Sequence, residues 1–279
     1  MKRPDFKDRF KTTKEELAKL ASEFYSEALP VLDKLYNISY WIFLEKKATQ
    51  KAIKQIYFEA IEYCDKTKAH ADWWSWIHRI WMREINDYYV PKENDNLTVF
   101  DFIDLSQVNH TEADTFFNNY YLRSNSILPK LITSLRKLPS ILRIPLMLKE
   151  VHKLSYEKIA ELVDVPDGVI ATRIYRARKL LFFFLHGNYD YEKKKKSGLP
   201  DNFKPIIFDL RMCGLAMDEE LNGEKKLEIE RLVETEEKFK TEFLIQQEIQ
   251  KILKSHCVES VVPKRIRIKI EKEAHKRFG

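Results

Sequence analysis

The chain has 279 residues, of which 44% are apolar and 33% are charged, so it can bury more than one core under a charged surface. Glycine is scarce, and three widely spaced cysteines (Cys64, Cys213 and Cys257) argue against a disulfide scaffold and favour a reducing compartment. No run of 18 apolar residues occurs, and the N-terminus lacks the apolar core of a secretory signal. We therefore expect a cytoplasmic protein without a membrane span.

The elements predicted along the chain are all helical, because no alternating β-branched run stands out. Thr13 and Glu16 form a capping box that starts the first helix, and Pro30 ends it. Residues 92–118 carry one lysine against six Asp/Glu, which is typical of an acidic linker. The predicted organisation is a helical domain over 1–90, an acidic linker over 91–126, a second helical domain over 127–188, a linker over 189–204 and a small C-terminal helical domain over 205–279.

Positive charge is concentrated in the second helical domain. Residues 127–186 hold 11 Lys/Arg against 5 Asp/Glu, and the rest of the chain holds 38 of each sign. A local surplus on one surface is what phosphate binding needs, although a solvated helix face would give the same count.

Two short helices and a tight turn follow within this domain. Ser155 is a natural N-cap for a helix whose apolar face is Ile159, Ala160 and Val163. The turn is Val165-Pro166-Asp167-Gly168, and the next helix is expected from near Val169. This order is typical of a DNA-binding helix-turn-helix, although a helical hairpin with a basic face is the alternative.

The outer face predicted for the second helix carries residues that suit DNA. Threonine and arginine can contact base edges in the major groove, and arginine and lysine can hold phosphates. The candidate contacts are Ala171, Thr172, Arg173, Arg176, Arg178 and Lys179.

This segment resembles the fourth conserved region of extracytoplasmic-function sigma factors. The resemblance rests on Leu138-Pro139, Arg143, Leu148, Leu154-Ser155-Tyr156, Ile159-Ala160, Pro166, Gly168, Arg173, Arg176-Ala177-Arg178 and Leu181. It implies binding to the upstream promoter element and packing on the polymerase β-flap. Val169 departs from the family, which usually has threonine there.

Residues 35–89 resemble the second conserved region of the same family through Trp76-Ile77-His78-Arg79-Ile80 and Asp87. The resemblance implies that this domain melts and holds the single-stranded downstream element, a task for which aromatic and basic side chains are suited. Trp76 and Ile80 are interpreted as core. The candidate DNA contacts are His78, Arg79, Arg83 and Asn86.

The polymerase-binding helix of the family is usually acidic, and residues 48–60 differ in this respect. Their apolar periodicity is kept at Ala52, Ile53, Ile56, Tyr57 and Ala60, but lysine and glutamine stand where carboxylates are expected. The candidate polymerase contacts are Lys51, Lys54, Gln55 and Phe58.

Residues 213–232 resemble the start of zinc-associated anti-sigma domains. The positions of the His-x3-Cys-x2-Cys ligands hold Leu232, Glu236 and Phe239, so we expect no metal and no cofactor. Amphipathic helices are predicted over 224–254, and a basic helix over 264–277. The extension is expected to contact the sigma-like domains, either as a tethered inhibitor or as a permanent scaffold.

The leading hypothesis is a sigma factor that binds core RNA polymerase and promoter DNA. The alternative is a degenerate sigma-like DNA-binding or interaction module that no longer recruits polymerase. Enzyme activity is not expected, because the sequence lacks triad spacing, a metal cluster, paired catalytic carboxylates and a phosphate loop.

Overall fold

The fold is that of a computed structural model, which describes residues 13–64, 72–89, 127–186, 206–257 and 260–279. The side chains of 86–89 and 206–210 are outside this description, as are both predicted linkers. The described residues form twelve α-helices and no strand, which confirms the all-α prediction. The helices are α1 (Lys14–Glu23), α2 (Leu32–Phe43), α3 (Lys46–Glu62), α4 (Trp73–Tyr89), α5 (Ile127–Lys137), α6 (Ser140–Glu150), α7 (Tyr156–Val163), α8 (Asp167–His186), α9 (Ile206–Met217), α10 (Gly223–Thr235), α11 (Glu237–His256) and α12 (Lys264–Phe278).

The chain divides into two compact units. The first combines residues 1–87 with residues 259–279, and the second comprises residues 88–258. The predicted C-terminal domain, 205–279, is therefore divided: α9, α10 and α11 belong to the second unit, whereas α12 belongs to the first. None of the described helices is long and apolar enough to span a membrane.

An aromatic core holds the first unit together. The capping box predicted at Thr13 and Glu16 starts α1, with both reciprocal hydrogen bonds present. Trp76 and Ile80 are buried, as predicted, and the Trp76 Nε1 donates to the carbonyl of Ala60 at 3.1 Å. Trp81 Nε1 donates to Ser39 Oγ at 2.8 Å, so two indoles are satisfied inside the core.

Helix α12 completes this core from the far end of the chain. It packs against α3 and α1 and buries Ile266, Ile270 and Ala274, which have the i, i+4, i+8 spacing of one helix face. Arg267 forms an ion pair with Asp33 at 2.7 Å. Phe278 lies edge-on to Trp73, with ring centroids 6.3 Å apart.

The second unit is built around α8. Helices α6, α7 and α5 pack on it from the N-terminal side of the sequence, and α9 and α11 pack on it from the C-terminal side. Helix α10 packs on α9 and α11. The 20-residue helix α8 is therefore covered by α5, α6 and α7 and also by helices of residues 206–257, which are called the extension from here on.

Candidate nucleic-acid interface

The helix-turn-helix forms where the sequence predicts it. Ser155 caps α7, and its hydroxyl accepts a hydrogen bond from the Lys158 amide at 3.2 Å. Asp164 ends α7 in the left-handed conformation at φ 52°, which a short polar side chain tolerates. Ala160 is buried between α7 and α8, which pack against each other. Helix α8 begins at Asp167, two residues before the expected Val169.

Three of the six predicted DNA contacts are partly exposed on α8, namely Thr172, Arg173 and Arg176. Burial, with the neighbouring charge of Arg176, lowers the pKa of Arg173. Burial is the larger of these two causes, and an anionic ligand beside Arg173 would favour its charged form. Their role in DNA binding remains a prediction.

The other three predicted contacts are not on an exposed face. Ala171, Arg178 and Lys179 are buried, so the outward placement expected from helical periodicity is wrong for these positions. Arg178 pairs with Glu150 of α6 and with Asp218, which follows α9, and Lys179 pairs with Glu242 of α11. Periodicity alone could not indicate that a second layer of helices lies there.

Arg178 lies at the centre of a buried ion-pair network. Its guanidinium donates to Glu150 of α6, with Nε at 3.0 Å from Oε1, and its Nη2 lies 2.9 Å from Asp218 Oδ2. Burial opposes the charge, but the two carboxylates outweigh it and raise the pKa of Arg178. Asp218 also accepts from the Tyr156 hydroxyl at 2.6 Å and from Gln250 Nε2 at 2.9 Å.

Lys179 forms a second buried ion pair. Its Nζ lies 2.5 Å from Oε2 of Glu242, and the two side chains are 1% and 0% exposed. Gln246 Nε2 donates to Glu242 Oε1 at 3.1 Å and to the carbonyl of Tyr175 at 3.3 Å. Two of the three carboxylates that pair with Arg178 and Lys179, Asp218 and Glu242, therefore belong to the extension, and the third, Glu150, belongs to α6.

Arg211 connects α9 to the start of α8. Its Nη1 donates to the Thr172 hydroxyl at 3.0 Å and to the carbonyl of Gly168 at 3.2 Å. A predicted base-contacting side chain, Thr172, is thus already hydrogen-bonded to the extension.

An apolar cluster completes the contact. Tyr175 of α8 packs in the same cluster as Cys213, Ala216, Ile229 and Phe239 of the extension. Burial raises the pKa of the Cys213 thiol to about 12.

Two positions of the zinc pattern, Leu232 and Phe239, pack in this cluster. Among the residues that the structure describes, no group of three or more His, Cys, Asp or Glu side chains could hold a metal ion.

In the first unit, the candidate downstream contacts all lie on α4. His78 lies between Trp74 and Trp81, with ring centroids 5.1 and 5.4 Å away. Arg79 is exposed, whereas Arg83 binds Glu59 of α3 with Nη2 2.7 Å from each carboxylate oxygen. The side chain of Asn86 lies outside the described residues.

The candidate polymerase contacts form one stripe along α3. Lys51 and Gln55 are exposed, and Lys54 and Phe58 are partly exposed, with the Lys54 Nζ 5.7 Å from the Phe58 ring centroid. The five positions of the predicted apolar face, which are Ala52, Ile53, Ile56, Tyr57 and Ala60, are all buried.

The residues of the extension that contact α8 were not among the predicted site residues. One signal was available: Glu242 and Gln246 share a helical face with Phe239 and Ile249, and a carboxylate on an apolar face indicates a buried partner. The contacts of Arg211 and Asp218 had no comparable signal.

Comparison with known proteins agrees with this geometry. Residues 129–181 match the family described as Sigma-70, region 4. The chain is 26% identical over 139 residues to the ECF RNA polymerase sigma-E factor of Escherichia coli K12, with 46% of this chain and 69% of the relative covered. The protein of the same name from Haemophilus influenzae is 24% identical over 134 residues, with coverage of 46% and 70%. Residues 129–181, which contain the helix-turn-helix, are therefore similar to sigma-70 region 4, and these relatives support a sigma factor.

Proposed function

We propose that this chain is a sigma factor that binds core RNA polymerase and directs it to promoters, and that residues 206–257 regulate it by covering the helix-turn-helix. The match of residues 129–181 to sigma-70 region 4 carries the first part of the proposal. The recognition helix α8 begins after a tight turn, as a helix that enters the major groove does. Its partly exposed Thr172, Arg173 and Arg176 would contact the upstream promoter element.

The regulatory part rests on the contacts of α8. A side chain that is buried in an ion pair with the extension cannot hold a DNA phosphate at the same time. The buried state of Arg178 and Lys179 therefore supports an extension that restricts DNA binding until it is displaced. The extension is covalently attached, so its effective concentration is high and displacement requires a competing ligand or partner.

The resemblance of the first unit to region 2 extends the proposal to the downstream element. His78 and Arg79 on α4 would contact the melted strand, because an aromatic ring and a neighbouring cation suit single-stranded DNA.

A second function is favoured by one observation. The stripe on α3 presents Lys51 and Lys54, where the resemblance to sigma region 2 implies carboxylates that face polymerase. A chain with this surface could be a sigma-like DNA-binding or interaction module that has lost polymerase binding.

Binding to core polymerase separates the two functions. The full-length chain is mixed with purified core polymerase and its comigration is measured by size-exclusion chromatography. A sigma factor comigrates with the enzyme, and Lys51→Glu/Lys54→Glu binds about tenfold more tightly if this stripe faces basic polymerase residues. Lys225→Glu/Lys238→Glu, which makes the same charge change in the other unit, is the control. Absence of comigration in all three proteins would favour the second function.

A further inference from the structure

The extension neutralises α8 with two carboxylates that come from different elements. Asp218 follows directly after α9, and Glu242 lies in the second turn of α11. Each reaches a different cation of α8, and these two cations are neighbours in sequence. Two buried ion pairs at adjacent positions fix both the position and the rotation of the extension on α8, because each pair requires its own geometry.

The remaining contacts of the extension surround these two pairs. The Nζ of Lys149 in α6 lies 2.6 Å from Oε1 of Glu220, which is two residues after Asp218, and 4.6 Å from the centroid of the Tyr156 ring. Tyr175, one helical turn before Arg178 and Lys179, fills the apolar cluster of the extension. An aromatic anchor with charged pairs beside it is the usual composition of an energetically important protein–protein contact.

The cations of the two pairs, Arg178 and Lys179, are side chains that could also bind phosphate. Arginine and lysine bind carboxylates and phosphates through the same N–H donors. Among the described residues, Lys179 pairs with a carboxylate of the extension, Glu242, whereas Arg178 also pairs with Glu150 of α6. Loss of the extension would therefore leave Lys179 as an uncompensated cation beside Arg173 and Arg176.

We propose that Asp218 and Glu242 hold the helix-turn-helix closed by occupying Arg178 and Lys179 as substitutes for DNA phosphates, so that DNA and the extension compete for the same cations. This inference rests on the proposed function, since it specifies how the extension regulates α8. Opening exposes Lys179 and the face around Tyr175 together, and it removes Asp218 from Arg178, which keeps Glu150. The opening ligand is thus a phosphate backbone, and the extension leaves as DNA binds.

The test uses the full-length chain and a random-sequence DNA duplex at low salt, where phosphate contacts contribute most to affinity. Asp218→Asn/Glu242→Gln removes both charges without changing side-chain size. This variant is expected to bind DNA at least about tenfold more tightly than the unaltered chain, with a steeper dependence on salt. The matched control, Glu228→Gln/Glu234→Gln, removes two exposed carboxylates of α10 and corrects for the change in net charge. Equal affinity of the two variants would overturn the proposal.

Hydrogen exchange on the unaltered chain decides the question even if the variant folds poorly. With saturating duplex, the amides of residues 206–257 are expected to exchange faster, and those of α8 more slowly. Stronger protection of residues 206–257 would mean that the extension forms part of the DNA-binding surface, which contradicts the proposal. Failure of the proposed function gives a different result. A chain that opens on DNA but does not bind core polymerase still shows competition between DNA and the extension, and it contradicts only the sigma factor role.

Discussion

Arg178 and Asp218 form a buried ion pair of 2.9 Å across 40 residues of sequence, with both side chains at most 1% exposed. Replacement of both partners of a buried ion pair by apolar residues changes stability little. Removal of one partner is costly, because the other remains charged in a low-dielectric interior. Stability is therefore the first property in which these pairs can be tested.

A mutant cycle on the simpler pair measures this asymmetry. Lys179→Met leaves the carboxylate of Glu242 buried without its cation, and we expect a loss of about 3–5 kcal/mol in the free energy of unfolding. Lys179→Met/Glu242→Met removes both charges, and its stability is expected to lie within about 1 kcal/mol of the unaltered chain. Urea unfolding gives both values. Equal losses of unfolding free energy in the single and the double variant would show that Glu242 is not destabilised by the absence of Lys179, which contradicts a buried ion pair.

Gly214 of α9 has room for one methyl group, so a substitution there is predicted to stabilise the protein. A Cβ placed on Gly214 would lie 3.5 Å from Gln246 Oε1 and 3.6 Å from Arg178 Nη1, which are ordinary contact distances. Gly214→Ala is therefore expected to raise stability by about 0.5–1 kcal/mol through helix propensity. Gly214→Leu has no room and should lower it. Thermal unfolding distinguishes the two, and destabilisation by alanine would show that the space is smaller than described.

The thiol of Cys213 reports whether the extension is closed. Burial raises its pKa to about 12, so at pH 8 almost no reactive thiolate forms. We expect Cys213 to resist alkylation at pH 8 until the chain unfolds, and Asp218→Asn/Glu242→Gln to react faster. The pKa of the Cys213 thiol is higher in the folded chain than in the unfolded chain, so the buried neutral thiol contributes fully to stability below about pH 9. This contribution is lost as the pH rises towards 12. Mass spectrometry of labelled peptides measures this, and rapid labelling of the unaltered chain would contradict the closed arrangement.

Two isoleucines of α12 provide a matched pair for the first unit. Ile270 is fully buried, whereas Ile268 is 47% exposed on the same helix. Ile270→Ala is expected to lower the free energy of unfolding by about 2–5 kcal/mol, and Ile268→Ala by about 0.5 kcal/mol or less. Tryptophan fluorescence during urea unfolding follows this unit. Similar small effects from both changes would mean that α12 does not complete the core.

The difference between local and long-range signals explains what could be predicted from the sequence. The cap at Ser155, the turn before α8 and the apolar face of α3 depend on residues within a few positions, so local patterns indicated them. The burial of Arg178 depends on Asp218, and the position of α12 depends on Asp33, which is 234 residues away. Helical periodicity gives the direction of a side chain but not what covers it.

The same distinction applies to the candidate site. Thr172, Arg173 and Arg176 are partly exposed, as expected. Lys179 was expected on this face as well, and it is covered because Glu242 lies on the buried face of α11. A charge on an apolar helix face is the one sequence feature that could have predicted this pairing.

Transcription from a promoter library by purified core polymerase tests the central claim most directly. With the full-length chain added, we expect transcripts from a restricted set of promoters that core polymerase alone does not use. Asp218→Asn/Glu242→Gln should increase their yield, and Arg173→Ala/Arg176→Ala should reduce it. If neither the unaltered chain nor the charge-neutralised variant adds any transcript, the chain does not act as a sigma factor.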